Sequence, residues 1–497
     1  MKPVPPPEGR STTPTKLEPN RDQLVALADR GQLWCTVEEE AFVSIRVEQP
    51  APHTKHWPVR SEAVRGWLIG LCHSATKKFP SSNTLNEAVA ALEAKAHVSG
   101  EVHPVHLRVA EKAGDIYIDL ADDLWRAIKI TPQGWEVITE PPVKFRRTKA
   151  MQTLPISERG GTIEELRPFL NVDCDDDFRL AVAWALGALR PSGPYPILIL
   201  TGEQGSSKTT FARVLRSLVD PSRPLTRGLP RSERDLMVAA ENNWVLCFDN
   251  LSGMGGWLPD AFCRLATGAG FGVRKLYTDK EETLFDASRP IVLNSIGDLV
   301  PQLDFVDRVI LLRLTQIPEE ARRLEADIWA DFEKVLPRIL GVLFDIMATA
   351  LARLPTIKPT RLPRMADFAL WGMATAEGLG WHAGTFLKVY EQNRAAAVAD
   401  AVEGNVLAHA VTALARDQGK WVGTATELQA VLIQYVPLAG RDGAGLPRAA
   451  NSLSSHLKRL KPALLNQGVN ISVGDRRGHG GTRVIEIRAR GDDGDEG

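Results

Sequence analysis

The segment Tyr195–Asp220 reads YPILILTGEQGSSKTTFARVLRSLVD and predicts a strand, a glycine-containing loop and a helix in direct succession. YPILIL is a short apolar run typical of a buried strand, and FARVLRSLVD is typical of a helix. In this order the backbone N–H groups of the loop and the amino terminus of the helix converge on one point, where they can bind a phosphate. The segment therefore predicts a phosphate-binding loop in an α/β fold.

The loop itself carries side chains suited to a nucleoside triphosphate. Gly202 and Gly205 permit the tight turn. Lys208 would reach the β- and γ-phosphates, and the Thr209 hydroxyl would bind Mg²⁺. The candidate nucleotide-binding residues are Gly202, Glu203, Gln204, Gly205, Ser206, Ser207, Lys208, Thr209 and Thr210. Ser207 stands where the usual pattern has glycine, so the loop alone is equally consistent with an ordinary turn and a surface lysine.

Three later residues bear on this choice. The apolar stretch WVLCFDN carries Asp249 at its end, where a carboxylate would hold Mg²⁺, and RPIVLN ends at Asn294, whose amide would sense the γ-phosphate or orient water. Arg308 then begins another apolar strand. Singly, these residues are typical of an acidic strand end, a turn and a solvated cation. Their order and spacing together predict an ATP site that a neighbouring subunit completes.

The regions around this core predict further domains. Residues 21–150 mix an amphipathic helix with short alternating runs, which indicates a small α+β domain of unknown role. No convincing paired-acid motif of a primase occurs in it, so a separate primase is a candidate partner. The basic stretch Lys144–Lys149 and the pair Gly160-Gly161 are typical of a connector. The ATPase core is then predicted over 151–320, with strands and helices alternating as in a parallel sheet.

Beyond the core, residues 321–398 are helical in pattern and predict a helical lid. Residues 399–490 have the order helix, helix and basic hairpin. The proline-rich start, 1–20, and the acidic end, 491–497, are predicted to be disordered.

The composition is that of an ordinary soluble protein, with 44% hydrophobic and 24% charged residues. A formal net charge of −1 gives no overall attraction to nucleic acid, so any such contact must come from local clusters of Lys and Arg. The five cysteines show no zinc spacing and indicate reduced thiols in the cytoplasm. The apolar run Ile339–Leu354 is interrupted by Asp345 and is short for a membrane span, so no membrane partner is expected.

The C-terminal section predicts a winged helix, a fold in which a helix enters a DNA groove and a hairpin contacts phosphates. The helical run Ala449–Leu465 carries Lys458, and the loop between two alternating strands carries Arg476, Arg477 and Arg483. The alternative is a winged helix that binds protein, since basic loops are also simply soluble.

A second basic element lies between the second and third core strands. GVRKLYTDKEETLFD has apolar ends around a polar tip and predicts a β-hairpin with Lys275 and Lys280 as candidate DNA contacts. Because Glu281 and Glu282 lie beside them, a merely solvated tip is an equal alternative.

From GEQGSSKTT through FDN and RPIVLN to DRVILLRL, the chain resembles the superfamily 3 helicases, in particular the poxvirus-type primase-helicase group of phages, plasmids and integrated elements. The likeness covers roughly residues 160 to 320. It implies an AAA+-like ATPase that forms a ring, usually a hexamer, and moves on DNA. It also implies that Asp249 is the Walker B acid, Asn294 is sensor 1 and Arg308 is an arginine finger acting in trans.

Asn250 departs from the family pattern, which has two consecutive acids at this strand end. Three explanations are open. Asp249 both binds the metal and activates the attacking water, or another acid such as Glu203 activates the water, or hydrolysis is slow. The leading hypothesis is an ATP-driven, Mg²⁺-dependent helicase or translocase on single-stranded or forked DNA in replication of a mobile element. The alternatives are an initiator or scaffold that binds ATP to assemble, and an AAA+ machine that remodels proteins.

Overall fold

The computed structural model describes residues 19–251, 256–274, 282–285, 288–295, 303–382, 384–436, 446–447, 449–477 and 482–489. Within them the chain is a mixed α/β protein with a four-stranded parallel sheet and several other sheets. Most of the proline-rich start, the acidic tail, Lys275 and Lys280 lie outside the described residues.

The first part of the chain forms a sheet covered by helices. Its elements are α1 (Arg21–Ala28), β1 (Gly31–Cys35), β2 (Ala41–Val47), β3 (His53–Pro58), α2 (Glu62–Thr76), α3 (Ser82–Ser99) and β4 (Glu101–Val102). The strand order is β3-β2-β1-β4, and only the short β4 runs parallel to its neighbour. Apolar residues of this sheet and of the three helices, such as Val43, Leu68 and Leu92, form a core of their own.

A second group of strands follows. Its strands are β5 (Val105–His106), β6 (Val109–Lys112), β7 (Asp115–Asp119), β8 (Ala127–Thr131), β9 (Gly134–Ile138) and β10 (Lys144–Phe145). Strands β6 to β9 pair antiparallel as a meander in sequence order, and β5 pairs parallel with β10. Ile118, Ile128 and Ile130 of this meander pack into the same hydrophobic core as the helices that follow residue 170. The predicted boundary near residue 150 therefore falls between elements that share one core.

The basic stretch 144–149, predicted to be a connector, is partly packed into the protein. The Arg147 guanidinium lies 4.1 Å from the Trp125 ring and makes a nearly buried ion pair with Asp119, with Nη2 and Oδ1 2.6 Å apart. A second buried ion pair joins Arg108 of the meander region to Asp220, with Nε and Oδ1 3.1 Å apart. Because Asp220 also accepts hydrogen bonds from the backbone N–H groups of Trp244 and Val245, the meander is fixed to the parallel sheet.

The parallel sheet forms the centre of the molecule. Its region contains α4 (Asp175–Ala188), β11 (Ile197–Thr201), α5 (Lys208–Val219), α6 (Glu233–Asn242), β12 (Leu246–Leu251), α7 (Leu258–Thr267), β13 (Phe271–Arg274), β14 (Glu282–Phe285), β15 (Ile291–Ser295), α8 (Leu303–Val306) and β16 (Val309–Arg313). The strand order is β12-β15-β11-β16, all parallel. Before α4, Thr162 and Glu165 form a capping box, which starts a 3-10 helix.

Successive residues of these strands enter different cores. Leu198 and Leu200 pack with α4, α5 and the meander, whereas Ile197 and Ile199 pack with α6, α7 and the C-terminal region. Side chains alternate across a strand, so the four successive apolar residues of ILILT require cover on both faces. The sheet is therefore buried on both sides, and only its edges are available for chemistry.

Long helices follow the sheet: α9 (Glu325–Arg353), α10 (Ala366–Gly378) and α11 (Thr385–Gly404). The helical stretch Glu325–Thr356 is longer than the apolar run in the sequence suggested, and by length and composition alone it could cross a membrane. Half of its most apolar window is buried inside the protein, as in a core helix. Ile339, Leu343 and Met347 pack in the core that contains α4.

The C-terminal region has the order helix, strand, two helices and hairpin. Its elements are α12 (Val406–Gln418), β17 (Lys420–Gly423), α13 (Ala425–Leu432), α14 (Ala450–Asn466), β18 (Val469–Arg477) and β19 (Thr482–Ala489). The three strands form an antiparallel sheet in the order β17-β19-β18. Leu453, Leu457 and Leu464 of α14 pack with Ile471 and Ile487 of the hairpin.

Candidate functional site

The loop between β11 and α5 lies at the carboxyl edge of the parallel sheet. Gly202 and Gly205 both have positive φ angles, 146° and 85°. A Cβ atom on Gly202 would lie 2.2 Å from the backbone oxygen of Leu314, so a side chain does not fit there. Glu203 and Gln204 are exposed, and Ser206 is buried and donates to the Glu203 oxygen over 2.8 Å. The glycines thus allow the backbone to fold tightly ahead of the helix.

Ser207 occupies the left-handed conformation, with φ 61° and ψ 24°. Glycine adopts this conformation without steric cost, which explains why the usual loop pattern has glycine here. Serine retains the same backbone at a cost of roughly 1–2 kcal/mol. Ser207 therefore departs from the usual loop pattern in residue type, while the backbone keeps the shape that glycine would give it.

We expect Ser207→Gly to bind ATP at least as tightly as the wild type, and Ser207→Val to bind it about tenfold or more weakly. A β-branched residue is strained at positive φ by about 1–3 kcal/mol, whereas glycine removes the strain. Titration with a fluorescent ATP analogue measures this, with thermal unfolding as the control for folding. Equal affinity of the valine variant would show that the left-handed geometry is not needed for binding.

Lys208 begins α5 and turns back over the loop. Its Nζ donates to the backbone oxygens of Gly202 and Glu203, both over 2.7 Å, and to Ser206 Oγ over 3.1 Å. Partial burial lowers the pKa of Lys208, and the nearby Asp249 carboxylate opposes this shift. The ammonium group is thus held against the loop by two carbonyl oxygens and a hydroxyl, and a phosphate would replace these contacts.

Three side chains from three elements meet next to this lysine. Thr209 Oγ1 lies 3.1 Å from Asp249 Oδ2, and Asn294 Nδ2 donates to Thr209 Oγ1 over 3.0 Å and to Asp249 Oδ1 over 2.5 Å. The sheet order explains the contact, because β15 lies between β11 and β12 and all three strands end at one edge. Hydroxyl and carboxylate oxygens are the ligands that Mg²⁺ prefers, so Thr209 and Asp249 fit a magnesium ion.

Asn250 does not extend this cluster with a second carboxylate. Its φ is 62°, its side chain is exposed, and its backbone N–H donates to Asp249 Oδ1 over 2.9 Å. The strand register shifts between Phe248 and Leu251, so Asn250 sits in an irregular turn of β12. Asparagine tolerates the left-handed region better than most residues, which accounts for its presence there. The backbone of Asn250 thereby orients the Asp249 carboxylate.

Arg308 lies at the opposite edge of the sheet. Its backbone oxygen accepts from the N–H of Ile197, the first residue of β11, whereas the loop follows the last residue, Thr201. Four residues of strand separate these positions by about 13 Å. Arg308 lines a cavity of about 630 Å³ together with Arg264 and Arg364. It therefore cannot reach the nucleotide loop of its own chain.

One side of the loop could not be predicted from the sequence. A cleft of about 610 Å³ runs from Gly205, Ser207 and Thr210 to residues Gln316–Ile328. Arg322 and Arg323 line it, and no motif in the sequence marks either residue, since both stand in an irregular segment before α9. A periodic pattern could not have identified them.

Four of the six candidate DNA-contacting residues are described by the structure, on α14 and on the C-terminal strands. Strands β13 and β14 pair antiparallel, as the predicted hairpin requires, while Lys275 and Lys280 are outside the described residues. Lys458 is exposed on α14. The backbones of Arg476 and Arg477 lie in β18 and that of Arg483 in β19, with Arg476 paired to Arg483.

Comparison with solved structures gives low similarities. The NrS-1 C terminal region is 11% identical with a TM-score of 0.40, covering 95% of this chain and 100% of that one. The SCCmec type IV Cch active helicase is 11% identical with a TM-score of 0.47, covering 92% and 93%. JCV helicase is 13% identical with a TM-score of 0.23, covering 42% and 67%. No curated protein matches the sequence.

Family models give a clearer result. Residues 163–393 match the model of the actinomycete integrative conjugative element replication protein, and residues 407–494 match the AICE RepA C-terminal domain. The first match contains Lys208, Asp249, Asn294 and Arg308, and the second contains the helix α14 and the C-terminal hairpin. Over more than half of its length the chain is thus similar to RepA, the replication protein of actinomycete integrative conjugative elements.

Proposed function

We propose that this chain is an ATP-driven DNA helicase or translocase that works as an oligomeric ring in replication of a mobile element. In this proposal residues 151–320 are an AAA+-like P-loop core of the superfamily 3 type. The observation that carries it is the meeting of Thr209, Asp249 and Asn294 beside Lys208, at the edge of a parallel sheet. The similarity to a replication protein of conjugative elements supports a role in replication of a mobile element.

Each residue of the cluster has a role in hydrolysis. Lys208 would exchange its bonds to the loop oxygens for the β- and γ-phosphates of ATP. Thr209 and Asp249 would hold Mg²⁺, which neutralises charge between these phosphates. Asn294, whose amide already contacts both residues, would orient the attacking water. Asp249 is then the only acid in this set, since Asn250 carries no charge.

The position of Arg308 supports the proposed ring. A cation that stabilises the transferred phosphoryl group speeds hydrolysis in related NTPases by about 10³ to 10⁵. Arg308 lies at the opposite sheet edge from its own loop, so it would serve a neighbouring subunit. We propose a homo-oligomer, by family resemblance a hexamer, in which the helices of 321–398 form the lid.

DNA binding is assigned to the C-terminal region and to the β13–β14 hairpin. The order α12, β17, α13, α14, β18, β19 with an antiparallel sheet is that of a winged helix. Lys458 is exposed on the helix that would enter the groove, and the basic residues of the hairpin would contact phosphates. Lys275 and Lys280 would follow single-stranded or forked DNA in the ring channel.

Replacing Arg476, Arg477 and Arg483 together with alanine should weaken DNA binding and reduce the slope of log affinity against log salt by about two to three units. Each lost phosphate contact removes slightly less than one unit. Fluorescence anisotropy from low to high salt measures the slope. An unchanged slope in the triple variant would assign this hairpin to protein binding.

A second candidate function is an initiator or scaffold that binds ATP in order to assemble on DNA. The uncharged Asn250 beside a single carboxylate favours it, because slow hydrolysis is compatible with assembly alone. The deciding experiment is steady-state phosphate release with and without single-stranded DNA. If DNA stimulates phosphate release, the protein is a helicase or translocase. If the protein binds ATP but DNA does not change phosphate release, the scaffold is supported. Release without any DNA binding would indicate a machine that remodels proteins.

A further inference from the structure

The cleft beside the phosphate-binding loop opens away from the Thr209–Asp249–Asn294 cluster. Thr209 and Thr210 are consecutive in α5 and so point about 100° apart around the helix axis. Thr209 contacts Asp249, whereas Thr210 lines the cleft. A nucleotide lying along the loop with its γ-phosphate at Asp249 would have its nucleoside end in this cleft.

We propose that this cleft holds the nucleoside of the bound nucleotide and that Arg322 binds the α- and β-phosphates in cis, an inference that rests on the proposed ATP site. Ile317 and Ile328, both partly buried, form apolar walls suited to a base. The volume of about 610 Å³ is in the range of small-molecule sites.

The cleft wall is fixed to the loop by backbone contacts. The Leu314 N–H donates to the Thr201 oxygen over 2.8 Å, and the Ile317 N–H donates to the Gly205 oxygen over 3.2 Å. The Asn171 side-chain amide bridges the backbone oxygens of Ser206 and Thr315, over 3.0 and 2.7 Å. The segment that carries Arg322 is therefore held against the loop and is positioned before any ligand binds.

Arg322 reaches the tip of the loop. Its Nη2 atom lies 3.5 Å from the point where a Cβ on Gly205 would be. Its contacts within the protein are long, 3.6 Å from Nη1 to Glu319 Oε1 and 3.4 Å from Nε to the Ile317 oxygen. A phosphate oxygen can replace contacts of this length, because a guanidinium binds phosphate more strongly than it binds a distant carboxylate.

Arg323 provides a matched control. It lines the same cleft and is exposed to a similar degree, 42% against 48% for the Arg322 side chain. Its Nη2, however, lies 2.5 Å from Oδ2 of Asp331 in α9, and a ligand would have to break this short ion pair. The two arginines thus have the same charge and line the same cleft, but Arg323 is held by a shorter ion pair within the protein than Arg322.

The test is titration of the full chain with ADP and with a non-hydrolysable ATP analogue, for wild type, Arg322→Ala and Arg323→Ala. Loss of a charged hydrogen bond, discounted for solvent exposure, should weaken both nucleotides by about 5- to 30-fold in Arg322→Ala. The ratio of the two affinities should stay the same, because ATP and ADP share the α- and β-phosphates. Arg323→Ala should stay within about twofold of the wild type.

Three results overturn the inference in different ways. If the wild type binds and both variants match it, the cleft does not hold the nucleotide, while the phosphate-binding loop stands. A loss confined to the ATP analogue would place Arg322 at the γ-phosphate. If the wild type binds neither nucleotide, the proposed ATP site fails and the cleft assignment fails with it.

Discussion

The Arg308→Ala variant is expected to bind ATP with the affinity of the wild type and to hydrolyse it about 10³-fold or more slowly. The physical reason is the position of Arg308 at the amino edge of β16, far from the proposed nucleotide-binding loop of the same chain. Its loss therefore leaves the binding contacts of Lys208 and Thr209 intact and removes a charge from the neighbouring site. Steady-state phosphate release and nucleotide titration on the same preparation measure both quantities.

Mixing Arg308→Ala with Lys208→Ala protein tests action in trans. At an interface where the first variant supplies the loop and the second supplies Arg308, one complete site forms, so part of the turnover should return. Co-purification of differently tagged variants must first show that mixed rings assemble. Wild-type turnover in the Arg308→Ala homo-oligomer would contradict the assignment of this residue.

The Lys208→Ala variant is expected to lose ATP turnover by about 100-fold or more. A preorganised cation at the phosphates contributes on this scale, because it acts in a site from which water is partly excluded. Among the contacts described, the Lys208 ammonium bonds only to the loop itself, so the folded core should be unaffected. Phosphate release measures the loss, and thermal unfolding checks the fold. Unchanged turnover at normal stability would contradict the phosphate-binding loop.

The central sheet and the edge that carries the candidate site could be predicted from the sequence. Strands such as ILILT have a run of four apolar residues, and polar residues follow this run at the carboxyl end of the strand. Because parallel strands end at the same edge, Thr209, Asp249 and Asn294 were expected to lie together, and the structure brings them into contact. The basic C-terminal hairpin was predictable for a similar reason, since its strands alternate.

Features that depend on distant contacts could not be predicted. The ion pair between Arg108, next to the β6–β9 meander, and Asp220 fixes the meander to the parallel sheet, and these two residues are 112 positions apart in the sequence. The glycine-like backbone of Ser207 depends on loop geometry and not on residue type. Arg322 acquires its place only because the segment after β16 folds back onto the loop. No local periodicity records such contacts.

Strand separation shows whether ATP hydrolysis at Lys208 and Asp249 drives movement on DNA. A forked DNA duplex with one labelled strand is incubated with the wild type and ATP, with a non-hydrolysable analogue, and with Lys208→Ala and ATP. We predict that the labelled strand is displaced by the wild type with ATP only, and that phosphate release rises when the fork is added. The motor function would be contradicted if the protein binds ATP and the fork tightly, does not displace the labelled strand, and releases phosphate at a rate that the fork does not change.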